Sequence, residues 1–243
     1  MTRTTVEKHA GIDSPVHRLD ARVKIVSLLA LVVVCVGTPR GAYGAFAAYF
    51  ALLMLVAAIA RVPAPYILRR PLAIMPFAAM TAVFLPFMER HGGTEVSGLA
   101  MFGGAMGKAY LGAMCVILLS ATTPFAEILR GLERLWIPRI FTMTAGFAYR
   151  YLFVLRDEAA RMKRAGDSRG YGGRWLWQAG TIGNMAASLF LRGYERGERV
   201  YLAMISRGFI GVENAYGPAR LQKGDYLFVL GCAAWMAVAR GLA

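Results

Sequence analysis

Residues 41–60 read GAYGAFAAYFALLMLVAAIA, twenty consecutive positions without a charged side chain. A helix rises about 1.5 Å per residue, so a run of this length matches the roughly 30 Å hydrocarbon core of a bilayer. Further uncharged runs occupy Ile25–Pro39, Pro71–Met88, Ala109–Ala126 and Tyr226–Ala239. The runs at 41–60, 71–88 and 109–126 have the length of about 17 to 25 residues that a span requires. Those at 25–39 and 226–239 are short, and tilt, bilayer thinning or snorkelling of Arg22, Lys24 and Arg240 completes them. The chain as a whole is 57% hydrophobic with a mean hydropathy of +0.48, far from the soluble range. The expected fold is therefore an all-α integral membrane protein of about five transmembrane helices.

A net charge of +14 would point to nucleic acid in a soluble protein. Its placement excludes that reading. Five basic residues precede the first run (Arg3, Lys8, Arg18, Arg22, Lys24), three follow the second (Arg61, Arg69, Arg70), and sixteen lie within 123–223. The remaining connections carry only Arg40, Arg90 and Lys108, with Arg240 beyond the last run. Basic loops stay on the cytoplasmic side, so the charge is a topological signal and the N-terminus is expected in the cytoplasm. The leader is long and contains Glu7, Asp13 and Asp20, which reads as a retained arm and not a cleaved signal. The organisation expected is a cytoplasmic N-terminal arm at 1–24, four spans within 25–122, a cytoplasmic module at 123–223 and a last span at 224–243.

The module interleaves apolar residues with charge. Its first helix begins near Thr123 as cap and Pro124 as first residue, with Glu127 in the first turn where the helix dipole favours a carboxylate. Phe125, Ile128, Leu129, Leu132 and Leu135 form one apolar stripe, and Pro138 separates this helix from the next. A second helix is predicted over about 140–165, with Gly166 or Gly170 as its stop. A third is predicted over about 182–207, where Arg192 with Glu195 and Glu195 with Arg199 stand at pairing distance.

Near the ends of the second and third helices one tetrad occurs twice: Ser168-Arg169-Gly170-Tyr171 and Ser206-Arg207-Gly208-Phe209. Arg-Gly after a helix is ordinarily a C-cap, since Gly adopts left-handed dihedrals at low cost and Arg complements the dipole. Capping alone does not call for a Ser before and an aromatic after, both times.

No catalytic constellation accompanies these helices. His9, His17 and His91 are dispersed, there is neither HExxH nor GxSxG, and no predicted span holds a mid-span Asp or Glu. Cys35, Cys115 and Cys232 lie singly in three apolar runs, so neither a disulfide framework nor a zinc site is indicated. Gly103-Gly104-Ala105-Met106-Gly107-Lys108-Ala109 is one residue short of a phosphate loop and lacks its Ser or Thr. Met75, Met80, Met101, Met106 and Met114 read as gap-filling between helices, not as a soft-metal path. The expectation is a membrane scaffold without catalytic residues, bound cofactor or metal ligands of its own.

Taken together, the two tetrads, PFAEILRGLERLWIPRIFTMTAGFAYRYLFVLRDEA, LFLRGYERGERVYLAMISRGF and the N-terminal SPVHRLDARVKI resemble the transmembrane T component of energy-coupling factor transporters, in its cobalt and nickel branch, the CbiQ-type permeases. The likeness runs in order from about Ser14 to Gly211. It implies a division of labour: two ATP-binding-cassette subunits hydrolyse ATP with its magnesium, a separate membrane subunit captures the substrate, and the T component couples them, with room for a small auxiliary membrane subunit. In the family each of two coupling helices ends in a small residue, Arg and Gly, the Arg entering a groove on one ATPase. By position these are Ser168, Arg169, Gly170 and Ser206, Arg207, Gly208; Ser stands where the family more often has Ala. The resemblance implies uptake of a divalent metal, cobalt ahead of nickel, at a bacterial inner membrane. The same scaffold serving a vitamin such as biotin stays open, as does a membrane-bound enzyme or free-standing channel. The partners implied are those subunits and the lipid bilayer, without nucleic acid.

Overall fold

A computed structural model describes residues 14–39, 42–84, 98–170, 179–209 and 222–241. The expected positions His9, His91, Tyr171 and 85–88 lie outside them. Among the described residues all regular structure is helical. The chain divides into two compact units, one of Met1–Leu135 with Ala219–Ala243, the other of Trp136–Pro218.

The first unit is built from α1 (Ala21–Val36), α2 (Tyr43–Ile59), α3 (Ala64–Arg69), a 3-10 turn at Pro71–Ala73, α4 (Met75–Ala82), α5 (Gly98–Thr122), α6 (Phe125–Arg134) and, from the end of the chain, α9 (Lys223–Gly241). Asp20 opens α1: its backbone is extended and its carboxylate accepts from the Arg22 N–H at 3.0 Å. One turn on, the buried Lys24 ammonium donates to the carbonyls of His17 (3.1 Å) and of Thr122 (3.3 Å), the last residue of α5. At the opposite end Lys108 of α5 donates to the carbonyls of Val36 and Thr38, each at 2.8 Å, where α1 stops. So α1 and α5 run antiparallel, and each carries a lysine that satisfies carbonyls left over at the end of the other. Between the two lysines Leu28, Leu31, Cys35, Met114, Cys115 and Leu118 fill a common core with Tyr49 and Leu53 of α2.

The remaining helices are fastened onto that pair. Asp225 accepts backbone N–H groups from Asp20 (3.0 Å) and Gln222 (2.7 Å), tying the start of α9 to the start of α1. Further along, the Trp235 indole donates to the Ala48 carbonyl at 2.9 Å and holds α9 to α2. Helix α6 lies against α1 because position 131 is a glycine: a Cβ there would stand 3.0 Å from Ile25 Cδ1 and 3.2 Å from Ala21 Cβ.

Several expectations change. The helix at 125–134, expected to open the cytoplasmic module, packs on α1 and falls in the first unit. Its N-cap is Pro124, not Thr123. The Thr123 N–H still bonds the Leu119 carbonyl in the register of α5, which leaves its hydroxyl buried without a hydrogen-bond partner. The described part of the run at 71–88 is broken, with Pro71 starting the 3-10 turn and Pro76 the short α4. The run expected at 109–126 lies, up to Thr122, in a helix that starts eleven residues earlier, at Gly98, and its last two residues open α6. Lys108 looked like a loop residue, but its charge is used inside the fold. By length and composition, one described helix stretch, Met101–Thr122, suffices to cross a bilayer, while α2 is apolar but shorter. The glycines at 103 and 107 lie within that helix, so no phosphate-binding loop forms there.

Just past Leu135, the C-cap of α6, stands Trp136, whose φ of +74° lies in the left-handed region and which is 97% exposed. A bulky residue held there costs about 1–3 kcal/mol of backbone strain.

The second unit contains α7 (Arg139–Ser168) and α8 (Ala179–Ser206). Helix α7 passes both of its predicted limits slightly, and α8 starts three residues earlier than predicted and ends one residue sooner. Pro138 provides the entry to α7, Gly166 is passed without interruption, and Gly170 is the stop.

If the lysine caps organise the first unit, Lys24→Met and Lys108→Met should each lower its stability by about 1.5–3 kcal/mol, the worth of charge-assisted hydrogen bonds. Gly131→Leu should displace α6 by overpacking and cost about 1–3 kcal/mol. Thermal denaturation in detergent, followed by loss of the monodisperse peak in size-exclusion chromatography, measures all three. An unchanged midpoint for both lysine variants contradicts this account.

Candidate functional site

The two tetrads terminate α7 and α8 in the same way. Arg169 and Arg207 are the C-cap residues, and Gly170 and Gly208 follow with φ of +82° and +81°. The Gly170 N–H donates to the Asp167 carbonyl at 3.1 Å, and the Gly208 N–H to the Ile205 carbonyl at 2.9 Å. In the second copy the Phe209 N–H also reaches the Met204 carbonyl at 3.0 Å, completing the double bond pattern of a Schellman end. A side chain at either glycine would meet nothing within 4 Å, so backbone conformation, not space, requires glycine there.

The serines take part in these ends, which sequence reasoning did not anticipate. Ser168 Oγ donates to the Ala165 carbonyl and Ser206 Oγ to the Ala203 carbonyl, both at 3.0 Å. The hydroxyls thereby satisfy helix carbonyls that would otherwise need water. Phe209 contributes through its backbone, so capping explains more of the tetrad than Arg and Gly alone. It does not use the guanidinium groups. Arg169 and Arg207 are exposed, and among the described residues no ion pair engages either side chain.

The helices bearing these ends touch around their middles. Gly193 of α8 lets Leu155 of α7 approach: a Cβ at 193 would lie 3.4 Å from Leu155 Cδ2. Beside this contact Glu158 of α7 binds Arg192 of α8 at 2.5 Å and also pairs with Arg161 of its own helix. Arg192 was expected to pair with Glu195 along α8; its partner is Glu158 instead, and Glu195 keeps Arg199 at 3.9 Å. No local signal in the sequence marks such a cross-helix pair, although a glycine in the middle of a long helix could have marked the crossing. Arg169 lies fourteen residues beyond Leu155, and Arg207 fourteen beyond Gly193. Each arm therefore extends about 21 Å from the crossing at 1.5 Å per residue.

Little of the second unit is buried. Thr142 is the buried residue of α7, while Leu152, Ile182, Phe190, Leu191, Tyr194 and Leu202 are all more than half exposed. Among the described residues of the whole chain no group of three His, Cys, Asp or Glu side chains gathers as it would around a metal ion.

The hydrogen bond from Arg161, and then that from Arg192, hold the Glu158 carboxyl below its ordinary value of 4.5. The sign follows: a depressed carboxylate contributes to the crossing above the ordinary Glu range and loses that contribution as pH falls through the lowered value. Spin labels on α7 and α8 should thus give one narrow distance distribution from neutral pH to below about 4.5, broadening only further into acid. Glu158→Gln should broaden it already at neutral pH. Broadening of the wild-type distribution above that range would contradict the pairing. For the helix ends, Gly208→Ala forces a Cβ into left-handed backbone at a cost of about 1 kcal/mol and should speed amide exchange at residue 209 roughly fivefold.

The family model described as CbiQ, cobalt transport protein, matches residues 13–216. An uncharacterized protein of Methanocaldococcus jannaschii is 33% identical over 114 residues, 47% of this chain and 41% of that one. A putative fused cobalt transport protein, CbiMQ, of Methanocorpusculum labreanum is 24% identical over 216 residues, 83% of this chain and 36% of that one. The chain thus spans well under half the length of these two relatives. An energy-coupling factor transporter transmembrane protein, EcfT, of Thermanaerovibrio acidaminovorans is 30% identical over 234 residues, covering 86% of this chain and 84% of that one. With its family model matched over most of its length, this chain belongs to the CbiQ family of cobalt transport proteins.

Proposed function

We propose that this chain is the transmembrane coupling subunit of an energy-coupling-factor importer, passing ATP-driven movement of partner ATPases to a membrane subunit that captures a divalent metal. The observation that carries the reading is the duplicated helix end: two exposed arginines, each followed by a left-handed glycine whose N–H bonds back to the last turn, at equal distances from one crossing. One Arg-Gly end is a cap; two on matched arms suit two copies of a nucleotide-binding subunit. In this reading Arg169 and Arg207 each enter a groove on one ATPase. A guanidinium grips carboxylate or carbonyl oxygens there with a planar fork of donors, and Gly170 and Gly208 let the groove wall approach the backbone. Ser168 and Ser206 stiffen the last turn behind each arginine. The exposed apolar residues of α7 and α8 support the reading further, because two helices that bury so little of their own surface require a covering partner.

ATP and magnesium are then held by the partner ATPases, and the metal by the capture subunit. Unit one sits in the bacterial inner membrane with about five spans and the N-terminus in the cytoplasm, the basic segments facing inward. Cobalt is the substrate favoured by the family and by the name of the fused relative. Relatives named for energy-coupling factor transporters without a substrate keep nickel, or a vitamin such as biotin, as the alternative.

Extraction in mild detergent and mass identification of what co-purifies should recover two ATP-binding-cassette copies and a histidine-rich membrane subunit. The double variant Arg169→Ala with Arg207→Ala should remain in the membrane, lose most ATPase binding and abolish uptake. Each single variant, giving up about 1.5–3 kcal/mol of charge-assisted contact, should be only partly defective. Purification of the chain alone, or normal transport by the double variant, would contradict the proposal, and metal flux from the isolated chain in liposomes would favour a free-standing channel.

A further inference from the structure

We infer that the segment at 136–141, WIPRIF, is an interfacial anchor that seats this stretch of chain at the lipid–water boundary. The side chains come first. Trp136 is 97% exposed, Ile140 70% and Phe141 66%, so the chain leaves most of these three side chains uncovered. The cluster is flanked by Arg134 and Arg139. An indole beside aliphatic and aromatic groups, bracketed by arginines, suits the headgroup zone. The rings enter the acyl boundary, the indole N–H reaches headgroup oxygens, and the positive charge on either side suits an anionic surface.

The level of this cluster follows from its neighbours in the chain. Gly131 rests on Ala21 and Ile25 in the first turns of α1, and Arg134 Nη1 lies 3.7 Å from the carboxylate of Asp20, the cap of that helix. Trp136 comes two residues later, at most about 7 Å of extended chain. It is therefore tethered to the polar end of the helix taken as the first span, which is where interfacial tryptophans reside. The backbone adds a third observation. With φ of +74°, position 136 is one where glycine would end α6 without strain. A large ring is held there at the expense of favourable backbone, so the ring itself has a use.

The inference rests on the membrane placement of the first unit, and the test separates the two. Of the four tryptophans, one protein keeps only Trp136 (Trp175→Phe, Trp177→Phe, Trp235→Phe) and another keeps only Trp235 of α9 (Trp136→Phe, Trp175→Phe, Trp177→Phe). Each full-length chain is reconstituted alone into phosphatidylcholine–phosphatidylglycerol liposomes containing lipid brominated near the headgroup or near the midplane. Trp136 should emit at shorter wavelength than in detergent-free denaturant and lose intensity chiefly to the headgroup-proximal bromine. If Trp235 is quenched by bromolipid but Trp136 is quenched only by aqueous iodide, the segment faces water or awaits a protein partner, and the anchor is overturned while the membrane placement stands. Stronger quenching of Trp136 from the midplane also overturns an interfacial position. If neither tryptophan is quenched by bromolipid, the membrane placement fails and the anchor with it.

Discussion

Two helix ends that cannot satisfy their own carbonyls govern this structure. Helix α1 and helix α5 are apolar along most of their lengths, and where such a helix stops, up to four carbonyls lose their partners. In lipid, water is scarce and each orphaned group costs several kcal/mol. The solution is reciprocal: Lys24 reaches from the start of α1 to the end of α5, and Lys108 from α5 to the end of α1. This sets direction, register and spacing for the pair at once. Asp20, one turn before Lys24, then becomes the meeting point for α9 through Asp225 and for α6 through Arg134. Removing the lysines would disturb more than their four hydrogen bonds, because the corner at Asp20 is placed by them.

The second unit is organised on another basis. Its two helices are long, touch around Leu155, Glu158, Arg192 and Gly193, and leave most of their apolar surface uncovered. Rigidity there comes from the helices and their tightly closed ends more than from a core. That suits levers, whose work is done at the tips. The uncovered apolar faces are the feature that a covering partner, as in the coupling role proposed above, would explain.

How much of this could be read from the residues depends on whether a signal is local. The helix stops at Gly170 and Gly208 were legible, since positive φ has a sequence signature. So was the all-helical, apolar character of the chain. The break at Pro71 and Pro76 was written plainly in the sequence but was outweighed by the uncharged run around it. Lys108 misled for the opposite reason: its charge implied a loop, whereas its partners lie some seventy residues away, at and just past the end of α1. The same holds for Glu158 with Arg192, and for Gly131, whose meaning depends on Ala21 and Ile25. Of the candidate site, the arginines and glycines were found by their repetition, while the part played by the serine hydroxyls emerged only with the helix geometry.

The central claim, that Arg169 and Arg207 each seat in an ATPase, can be tested at the neighbouring serines without altering either arginine. Cys35, Cys115 and Cys232 are buried, so Ser168→Cys and Ser206→Cys can be labelled selectively with a thiol-linked photo-crosslinker in native membranes. The account predicts that each position traps an ATP-binding-cassette subunit, and that a chain labelled at both carries two of them. Adducts that contain no ATPase from either position would contradict it.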